Sequence, residues 1–133
     1  MISGIGIDII NIERIERLIQ KWGNVFLNRV YTEREILWCQ KKRNPYECFA
    51  LRFAAKEAFL KAIGLGLRKG IQWTDIEVET DPMGKPFFNL HRKAKEILVE
   101  RQKSHILLTL SHDRPYAVAN VILEGKDYES GNC

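Results

Sequence analysis

The sequence predicts an α+β protein in which a mostly antiparallel sheet packs against helices on one side. Segments with the two-residue period of strands and segments with the helical period follow one another in the order strand, helices, hairpin, helix, hairpin. A parallel sheet would need strict alternation of strands and helices, which this order does not give. The length of 133 residues fits one domain, residues 1–133. Its polar, glycine-containing end, Gly125 to Cys133, is expected to be a flexible tail.

The first strand is predicted at residues 4–10, where two kinds of side chain alternate. One face carries isoleucine and the other carries only glycine and a carboxylate: Ile5, Ile7 and Ile9 against Gly4, Gly6 and Asp8. Glycines in a strand allow another segment to approach the backbone closely. Asp8, at the end of this bare face, is therefore a candidate functional carboxylate.

The first helix follows directly, with Asn11 as its N-cap and Gly23 as its stop. Three cations recur along one of its faces: Arg14, Arg17 and Lys21. A basic helix face is usually only solvated, but it can also dock an acidic partner. The residues alone leave both interpretations open.

Two more helices are predicted before the middle of the chain. Thr32 and Glu35 match a capping box, which opens a helix that runs through Cys39. A longer helix is expected at residues 46–63, and Gly64 ends it.

The second half of the chain predicts two hairpins with a helix between them. The elements are strands at 76–80 and 85–88 joined by the turn 81–84, a helix at 92–102, and strands at 106–111 and 116–123 joined by residues 112–115.

The composition excludes several classes of protein. No apolar run approaches the roughly 20 residues of a membrane-spanning helix, and the N-terminus has no basic leader, so neither a membrane protein nor a signal peptide is predicted. The net charge of +4 favours an anionic partner without identifying it. Three scattered cysteines, Cys39, Cys48 and Cys133, suit free thiols in a reducing, cytoplasmic compartment better than a disulfide framework.

The helix at 46–63 carries the chemistry, because it is apolar nearly all round and yet charged. It contains Arg52, Lys56, Glu57 and Lys61, and buried charges must be paired or bind a ligand. One interpretation is an ordinary Glu57–Lys61 pair with two snorkelling cations. The other is a diphosphate site, because Mg²⁺ is typically held by one or two carboxylates plus substrate phosphates. Asp8 and Glu57 would then be the ligands, although spacing alone does not show that their segments meet.

Four segments resemble the motif series of the holo-acyl-carrier-protein synthases, the short bacterial group of the 4′-phosphopantetheinyl transferase superfamily. They are, in order, GIGIDIINIERI, RFAAKEAFLKAIGLG, MGKPFF and LTLSHD. The resemblance runs from Ile5 to about Leu123, and the lysine-glutamate-alanine core of the second segment is its most specific part.

This resemblance implies a 4′-phosphopantetheinyl transferase-like fold and an enzyme of fatty acid biosynthesis. The enzyme would transfer 4′-phosphopantetheine from coenzyme A to a serine of apo-acyl carrier protein and release adenosine 3′,5′-bisphosphate. Asp8, Glu57 and Lys61 would be the catalytic residues. Asp8 and Glu57 would hold Mg²⁺, with Mn²⁺ as an alternative, and Lys61 would contact phosphate. Members of this group assemble as homotrimers with active sites between subunits.

Further contacts with substrate and partner are expected around this centre. The candidates for coenzyme A binding are Arg52, Lys56, Lys61, Gly84, Lys85, Pro86, Ser111, His112, Lys42 and Arg43. Because acyl carrier proteins are acidic, the resemblance favours docking through Arg14, Arg17 and Lys21. The proton of the attacking serine would pass to Glu57, to a metal-bound water or to His112, and Glu57 is preferred.

Two other classes of function compete with the transferase. The basic cluster at 41–43 suggests a small nucleic-acid-binding module, but aromatic residues do not alternate with cations along a strand as a stacking surface requires. A non-catalytic assembly protein would use the apolar strands as an interface and would leave Asp8, Glu57 and Lys61 unexplained.

Overall fold

A computed structural model describes residues 1–125, with the side chains at 103 and 104 left aside. The elements in chain order are β1 (Ile2–Asn11), α1 (Ile12–Trp22), α2 (Asn24–Val30), α3 (Glu33–Gln40), α4 (Pro45–Ile63), a 3₁₀ turn (Trp73–Asp75), β2 (Ile76–Thr80), β3 (Pro86–Leu90), α5 (Arg92–Glu100), β4 (Lys103–Asp113) and β5 (Tyr116–Gly125). The predicted α+β class is confirmed. Among these residues, no helix is long and apolar enough to cross a membrane.

The strands form two antiparallel sheets. The larger has the order β1-β5-β4, so the first strand pairs with the last, and the smaller is the β2-β3 hairpin. Alternate residues of β5 face α4 and are completely buried: Ala117, Ala119, Val121 and Leu123. The opposite side, called the open face below, carries Ile5, Ile7 and Ile9, which are 67%, 61% and 62% exposed. The apolar side of β1 is therefore not covered by any of the residues that the structure describes.

Helix α4 lies against the glycine side of β1, as the bare face of that strand predicts. A Cβ built at Gly4 would lie 2.5 Å from the carbonyl oxygen of Ala62, and one at Gly6 would lie 1.9 Å from that of Ala58. The helix contributes small buried residues, among them Ala54 and Ala58. Helix and strand thus touch backbone to backbone, and what the glycines admit is a segment of the same chain.

The ends of α1 follow their predicted residues, but the next helix was not predicted. The Asn11 side chain accepts a hydrogen bond from the Glu13 amide at 2.9 Å, and Gly23, at φ 53°, closes the helix. The chain turns at Gly23 and immediately forms α2, whose N-terminus has no side-chain cap. Leu27 and Val30 bury its inner side. Packing rather than local signals therefore stabilises α2.

The capping box of α3 is confirmed, whereas the expectation of free thiols is wrong for Cys39 and Cys48; Cys133 lies outside the described residues. Thr32 and Glu35 cap each other's backbone amides at 3.3 and 3.0 Å. At the other end of α3, Cys39 forms a disulfide with Cys48 of α4. The chain reverses between the two helices, which brings the Cα atoms of these cysteines to 5.4 Å, within bonding reach.

The second half matches its predicted hairpins and helix, with small changes of boundary. Both strands of the second hairpin are longer than expected, and α5 ends two residues earlier. Gly125 closes β5 and donates its amide to the Met1 carbonyl at 2.9 Å, so it does not begin a tail. The remainder of the predicted tail, residues 126–133, lies outside the described residues.

Candidate active site

The opening strand and the charged helix meet through an ion pair between Asp8 and Lys61. Lys61 Nζ donates to Asp8 Oδ1 at 3.0 Å and to the Ile7 carbonyl at 3.0 Å. The Lys61 side chain remains 54% exposed, whereas that of Asp8 is 15% exposed. A carboxylate and an accessible ammonium are thereby fixed at the junction of β1 and α4.

Glu57, one turn before Lys61 on α4, belongs to the same cluster. Its half-buried carboxyl group has a pKa above the ordinary value, because burial and the negative charge of Asp8 both disfavour ionisation. The positive charges of Lys61 and Arg14 oppose this shift. We call Asp8, Glu57 and Lys61 the acidic cluster. It holds two carboxylates that repel each other and the ammonium of Lys61, with the guanidinium of Arg14 nearby.

The composition of the acidic cluster fits a divalent cation of the magnesium type. Within residues 1–125, no group of three or more His, Cys, Asp or Glu side chains could enclose a metal by itself. Mg²⁺ does not need such an enclosure, because it keeps waters and uses one or two carboxylates with substrate phosphates. A cation between Asp8 and Glu57 would also relieve the repulsion that raises the Glu57 pKa.

A cavity of about 630 Å³ opens beside the first half of α4. Its walls come from the α3–α4 connection, from α4 and from the β2–β3 turn, with one residue of β4. Five predicted coenzyme A contacts line it: Lys42, Arg43, Arg52, Gly84 and Pro86. Lys85 lies exposed in the same turn. The volume lies within the range of about 300–1,000 Å³ typical of small-molecule sites.

Arg52 is the most buried cation of the cavity wall, with 5% of the residue exposed. It donates through Nη1 to Cys48 Sγ and through Nη2 to Thr80 Oγ1, both at 3.3 Å. Its Nε is buried and has no partner among the described residues, and burial lowers the pKa of the guanidinium. A buried charge with an unused donor is suited to an anionic ligand.

Lys56 does not take part in this cavity, contrary to its prediction as a coenzyme A contact. Its ammonium is completely buried and donates to Glu35 Oε1, the Val30 carbonyl and the Trp73 carbonyl at 2.7, 2.9 and 3.1 Å. Burial lowers the pKa of Lys56, and the Glu35 carboxylate opposes that shift. The residue points to the interior, and the protein already occupies its three hydrogens.

Ser111 and His112 lie on opposite sides of β4, because successive strand residues alternate. His112 is in register with buried Ala117 on the α4 side, and its Nε2 lies 3.2 Å from Glu47 Oε1. Glu47 lines the cavity and also forms an ion pair with Arg114, whose Nε lies 3.3 Å from Glu47 Oε2. Ser111 is in register with Val118 and is exposed on the open face. Only His112 of the two is thus brought to the cavity of its own chain.

The basic residues of α1 are exposed, as predicted. Arg14 is close enough to Glu57 to act on its pKa, so the basic stripe begins at the acidic cluster. From there Arg17 and Lys21 continue along the helix, with Lys21 Nζ 5.2 Å from the Trp22 ring centre.

Sequence reasoning missed most of the cavity wall, including Trp38, Glu47 and Thr80. Trp38 had a usable signal, because it precedes Lys42 by one helical turn, and Lys42 Nζ lies 4.1 Å from its ring centre. Glu47 follows the basic cluster at 41–43 in the first turn of α4. Thr80 had no signal, since only the packing of β2 beside α4 brings it to Arg52.

The cavity and the acidic cluster lie on the same side of the larger sheet. Leu110 of the cavity wall pairs with Ala119, which pairs with Asp8, so two strand spacings, about 10 Å, separate Leu110 from Asp8. Along α4, the rise from Arg52 to Lys61 is about 14 Å. An elongated anionic ligand anchored in the cavity would therefore reach the acidic cluster.

Comparisons with known proteins point to one family. A model of the 4′-phosphopantetheinyl transferase superfamily matches residues 4–121. A holo-[acyl-carrier-protein] synthase from Geobacter sulfurreducens is 50% identical over 125 residues, covering 93% of this chain and 98% of the relative. The corresponding protein of Syntrophus aciditrophicus is 47% identical over 125 residues, 94% of this chain and 98% of the relative.

Solved structures of the same kind are also similar. The crystal structure of holo-[acyl-carrier-protein] synthase from Neisseria meningitidis has a TM-score of 0.87 and 38% identity, covering 93% of this chain and 99% of that one. The Bacillus anthracis synthase, solved in complex with CoA (3′,5′-ADP), has a TM-score of 0.78 and 38% identity, covering 95% and 99%.

Proposed function

The chain belongs to the 4′-phosphopantetheinyl transferase superfamily, and we propose on this premise that it is a holo-acyl-carrier-protein synthase of fatty acid biosynthesis. It transfers 4′-phosphopantetheine from coenzyme A to a serine hydroxyl of apo-acyl carrier protein and releases adenosine 3′,5′-bisphosphate. The observation that carries the proposal is the pairing, along α4, of a basic cavity with an acidic cluster. A nucleic-acid-binding module or a passive assembly protein has no use for that arrangement.

Coenzyme A binding is assigned to the cavity beside α4. Arg52, with its buried and unused donor, and the exposed cations Lys42 and Arg43 supply positive charge for the phosphates of the nucleotide. The turn at Gly84, Lys85 and Pro86 forms the opposite wall. The spacing to Asp8 lets the diphosphate lie at the acidic cluster while the nucleotide stays in the cavity.

The transfer exchanges one phosphorus–oxygen bond for another. The serine oxygen forms a bond to the phosphorus that carries pantetheine, and the bond from that phosphorus to the bridging oxygen breaks, with its electron pair leaving on adenosine 3′,5′-bisphosphate. Lys61, whose side chain is about half exposed, neutralises the charge that develops on these oxygens.

Glu57 accepts the proton of the serine, directly or through a water molecule. Its position beside Asp8 and one helical turn from Lys61 supports this role, since a general base must lie within reach of the proton that it accepts. His112 is held by Glu47 at the cavity instead, which supports a nucleotide contact and not a role as base.

Asp8 and Glu57 would hold Mg²⁺, or Mn²⁺ as an alternative. Bound there, the metal supplies positive charge to the diphosphate. Lys61 already donates a hydrogen bond to Asp8, so the ammonium and a metal ion held by Asp8 would both lie at this carboxylate.

The acidic carrier protein docks on α1 through Arg14, Arg17 and Lys21. The proximity of Arg14 to Glu57 supports this orientation, because a partner seated on the stripe brings its serine to the acidic cluster.

A homotrimer with sites between subunits is part of the proposal. The uncovered isoleucines of the open face support an apolar contact with another copy. Ser111, exposed on that face, would contact coenzyme A only in a site shared with a neighbouring subunit. The proposal includes a cytoplasmic location, which cell fractionation tests.

Mass spectrometry of an apo-acyl carrier protein tests the reaction. After incubation with the enzyme, coenzyme A and Mg²⁺, the carrier should gain the mass of one phosphopantetheine. Chelation of the metal and the Asp8→Ala variant should each abolish the gain. An unmodified carrier in the complete mixture would overturn the proposed function.

A further inference from the structure

The ammonium of Lys56 joins α4 to three separate segments of the chain. Its acceptors are the carbonyl of Val30 at the end of α2, the carboxylate of Glu35 in α3 and the carbonyl of Trp73 in the 3₁₀ turn. An ammonium has three hydrogens, and each has one acceptor here. No rotation of α4 about its axis would preserve all three contacts.

Glu35, the charged partner of Lys56, is itself held on several sides. Its Oε1 also accepts the Thr32 amide at 3.0 Å, and its Oε2 accepts the Val78 amide of β2 at 3.0 Å. The carboxylate cannot follow Lys56 if α4 moves, because it caps α3 and bonds to the smaller sheet. The pair is therefore a fixed point between α4 and the elements outside the larger sheet.

Lys56 and the acidic cluster occupy different sides of α4. At 100° per residue, Lys61 lies about 140° around the helix from Lys56. Glu57, the next residue after Lys56, lies close enough to Asp8 for the two negative charges to interact. The rotation that brings Lys56 to its three acceptors thus determines where Glu57 and Lys61 point on the β1 side.

The Lys56–Glu35 ion pair is not readily explained by a contribution to the stability of the fold. Replacement of a buried ion pair by apolar residues of similar volume is often neutral or stabilising, because desolvation offsets the attraction. What the pair supplies is directionality, since hydrogen bonds to three fixed acceptors define one orientation.

We propose that Lys56 is a positioning residue, which through Glu35, Val30 and Trp73 fixes the rotation of α4 so that Glu57 and Lys61 face Asp8. This inference rests on the proposed function for its kinetic consequence only. The geometric consequence, a displacement of α4 relative to β1, is measurable without any transfer reaction.

The test compares the wild type with the double variant Lys56→Met/Glu35→Gln, which removes the buried charges together and so avoids an unpaired carboxylate. We expect a folded protein with kcat at least tenfold lower and KM for coenzyme A within twofold of wild type, because a misplacement of about 1 Å costs up to 100-fold. Glu35→Gln alone, which leaves the lysine its two carbonyl acceptors but no carboxylate, is a second variant and should lower kcat severalfold. Lys95→Met, at an exposed lysine of α5, is the matched control and should change nothing.

Amide spectra recorded by ¹H–¹⁵N NMR supply the second readout. In either Glu35 variant, the amides of Gly6, Ile7 and Asp8 should shift, although the three acceptors of Lys56 all lie outside β1. Wild-type kcat per folded molecule, or shifts confined to the neighbours of residue 56, would overturn the proposal. If the wild type itself transfers nothing while the β1 amides shift as expected, the proposed function fails and the positioning role stands.

Discussion

Replacement of Gly6 by alanine should disrupt both the fold and the reaction, because α4 leaves no room for a methyl group there. The new Cβ would lie 1.9 Å from the Ala58 carbonyl oxygen and 2.8 Å from the Ala62 amide nitrogen. Real Cβ atoms essentially never approach other atoms closer than 3.0 Å, so β1 and α4 must separate by about 1.1 Å. Both obstructing atoms belong to helix backbone and cannot rotate away as the end of a side chain would.

The size of both effects follows from that separation. Overpacking of a tight contact costs about 1–3 kcal/mol, and we expect Gly6→Ala to lower the free energy of unfolding by about 3 kcal/mol. Asp8 follows two residues later on the same strand and moves with it away from Glu57. Since a displacement of about 1 Å can cost about 100-fold in rate, kcat should fall by about that factor.

Urea unfolding followed by circular dichroism measures the first effect, and the rate of carrier-protein modification measures the second. Ile7→Val, on the exposed side of the same strand, is the matched control and should leave both quantities within experimental error. A Gly6→Ala protein with wild-type stability and wild-type kcat would refute the reasoning that backbone contact sets the distance between the two carboxylates.

Three further variants probe the charges and the open face. In the absence of metal, Glu57→Gln should raise the free energy of unfolding at pH 7 by less than about 1 kcal/mol, because the group is half-exposed. In the presence of Mg²⁺, the same variant should abolish transfer. Because the pKa of Glu57 is raised in the folded state, the stability that this group contributes is complete below its unfolded pKa of 4.5 and is lost as the pH rises through its folded pKa. The wild type and Glu57→Gln should therefore melt alike at pH 4, and a difference there would contradict the argument. Arg17→Glu should raise KM for the carrier protein severalfold at low salt and leave KM for coenzyme A unchanged, and it is a cleaner test than Arg14→Glu because Arg14 also acts on Glu57. Ile7→Glu should convert the proposed trimer to a 15.5 kDa monomer in light scattering, whereas Ile7→Val should not; an unchanged assembly would remove the open face from the interface.

The sequence predicted those elements whose signals are local. The N-cap at Asn11, the capping box at Thr32 and the glycine that ends α4 each act within one turn of chain, and each lies where it was expected. Helix α2 was missed because its start has no capping side chain and its stability comes from burial of Leu27 and Val30. A short helix held only by packing leaves little local pattern.

The candidate site was predictable in its chemistry and less so in its geometry. Asp8, Glu57 and Lys61 stood out as charges in apolar or bare surroundings, and they do come together. Lys56 stood out for the same reason. Its three partners, however, lie 17 to 26 positions away in the sequence, and no spacing rule identifies them. The opposite orientations of Ser111 and His112 follow from strand alternation only because β4 runs on to Asp113, whereas the predicted strand ended at residue 111.

Pairing of the first strand with the last governs when this protein can become active. Ser3 bonds to Leu123, 120 residues away, and β1 finds its only strand partner among the described residues in β5. Contacts of such sequence separation form late and slowly, because the loop they close is long. Asp8 is synthesised well before β5, so its strand lacks this partner until residue 116 and those after it have emerged. A chain truncated before β5 would therefore keep all three residues of the acidic cluster and still lack a working site.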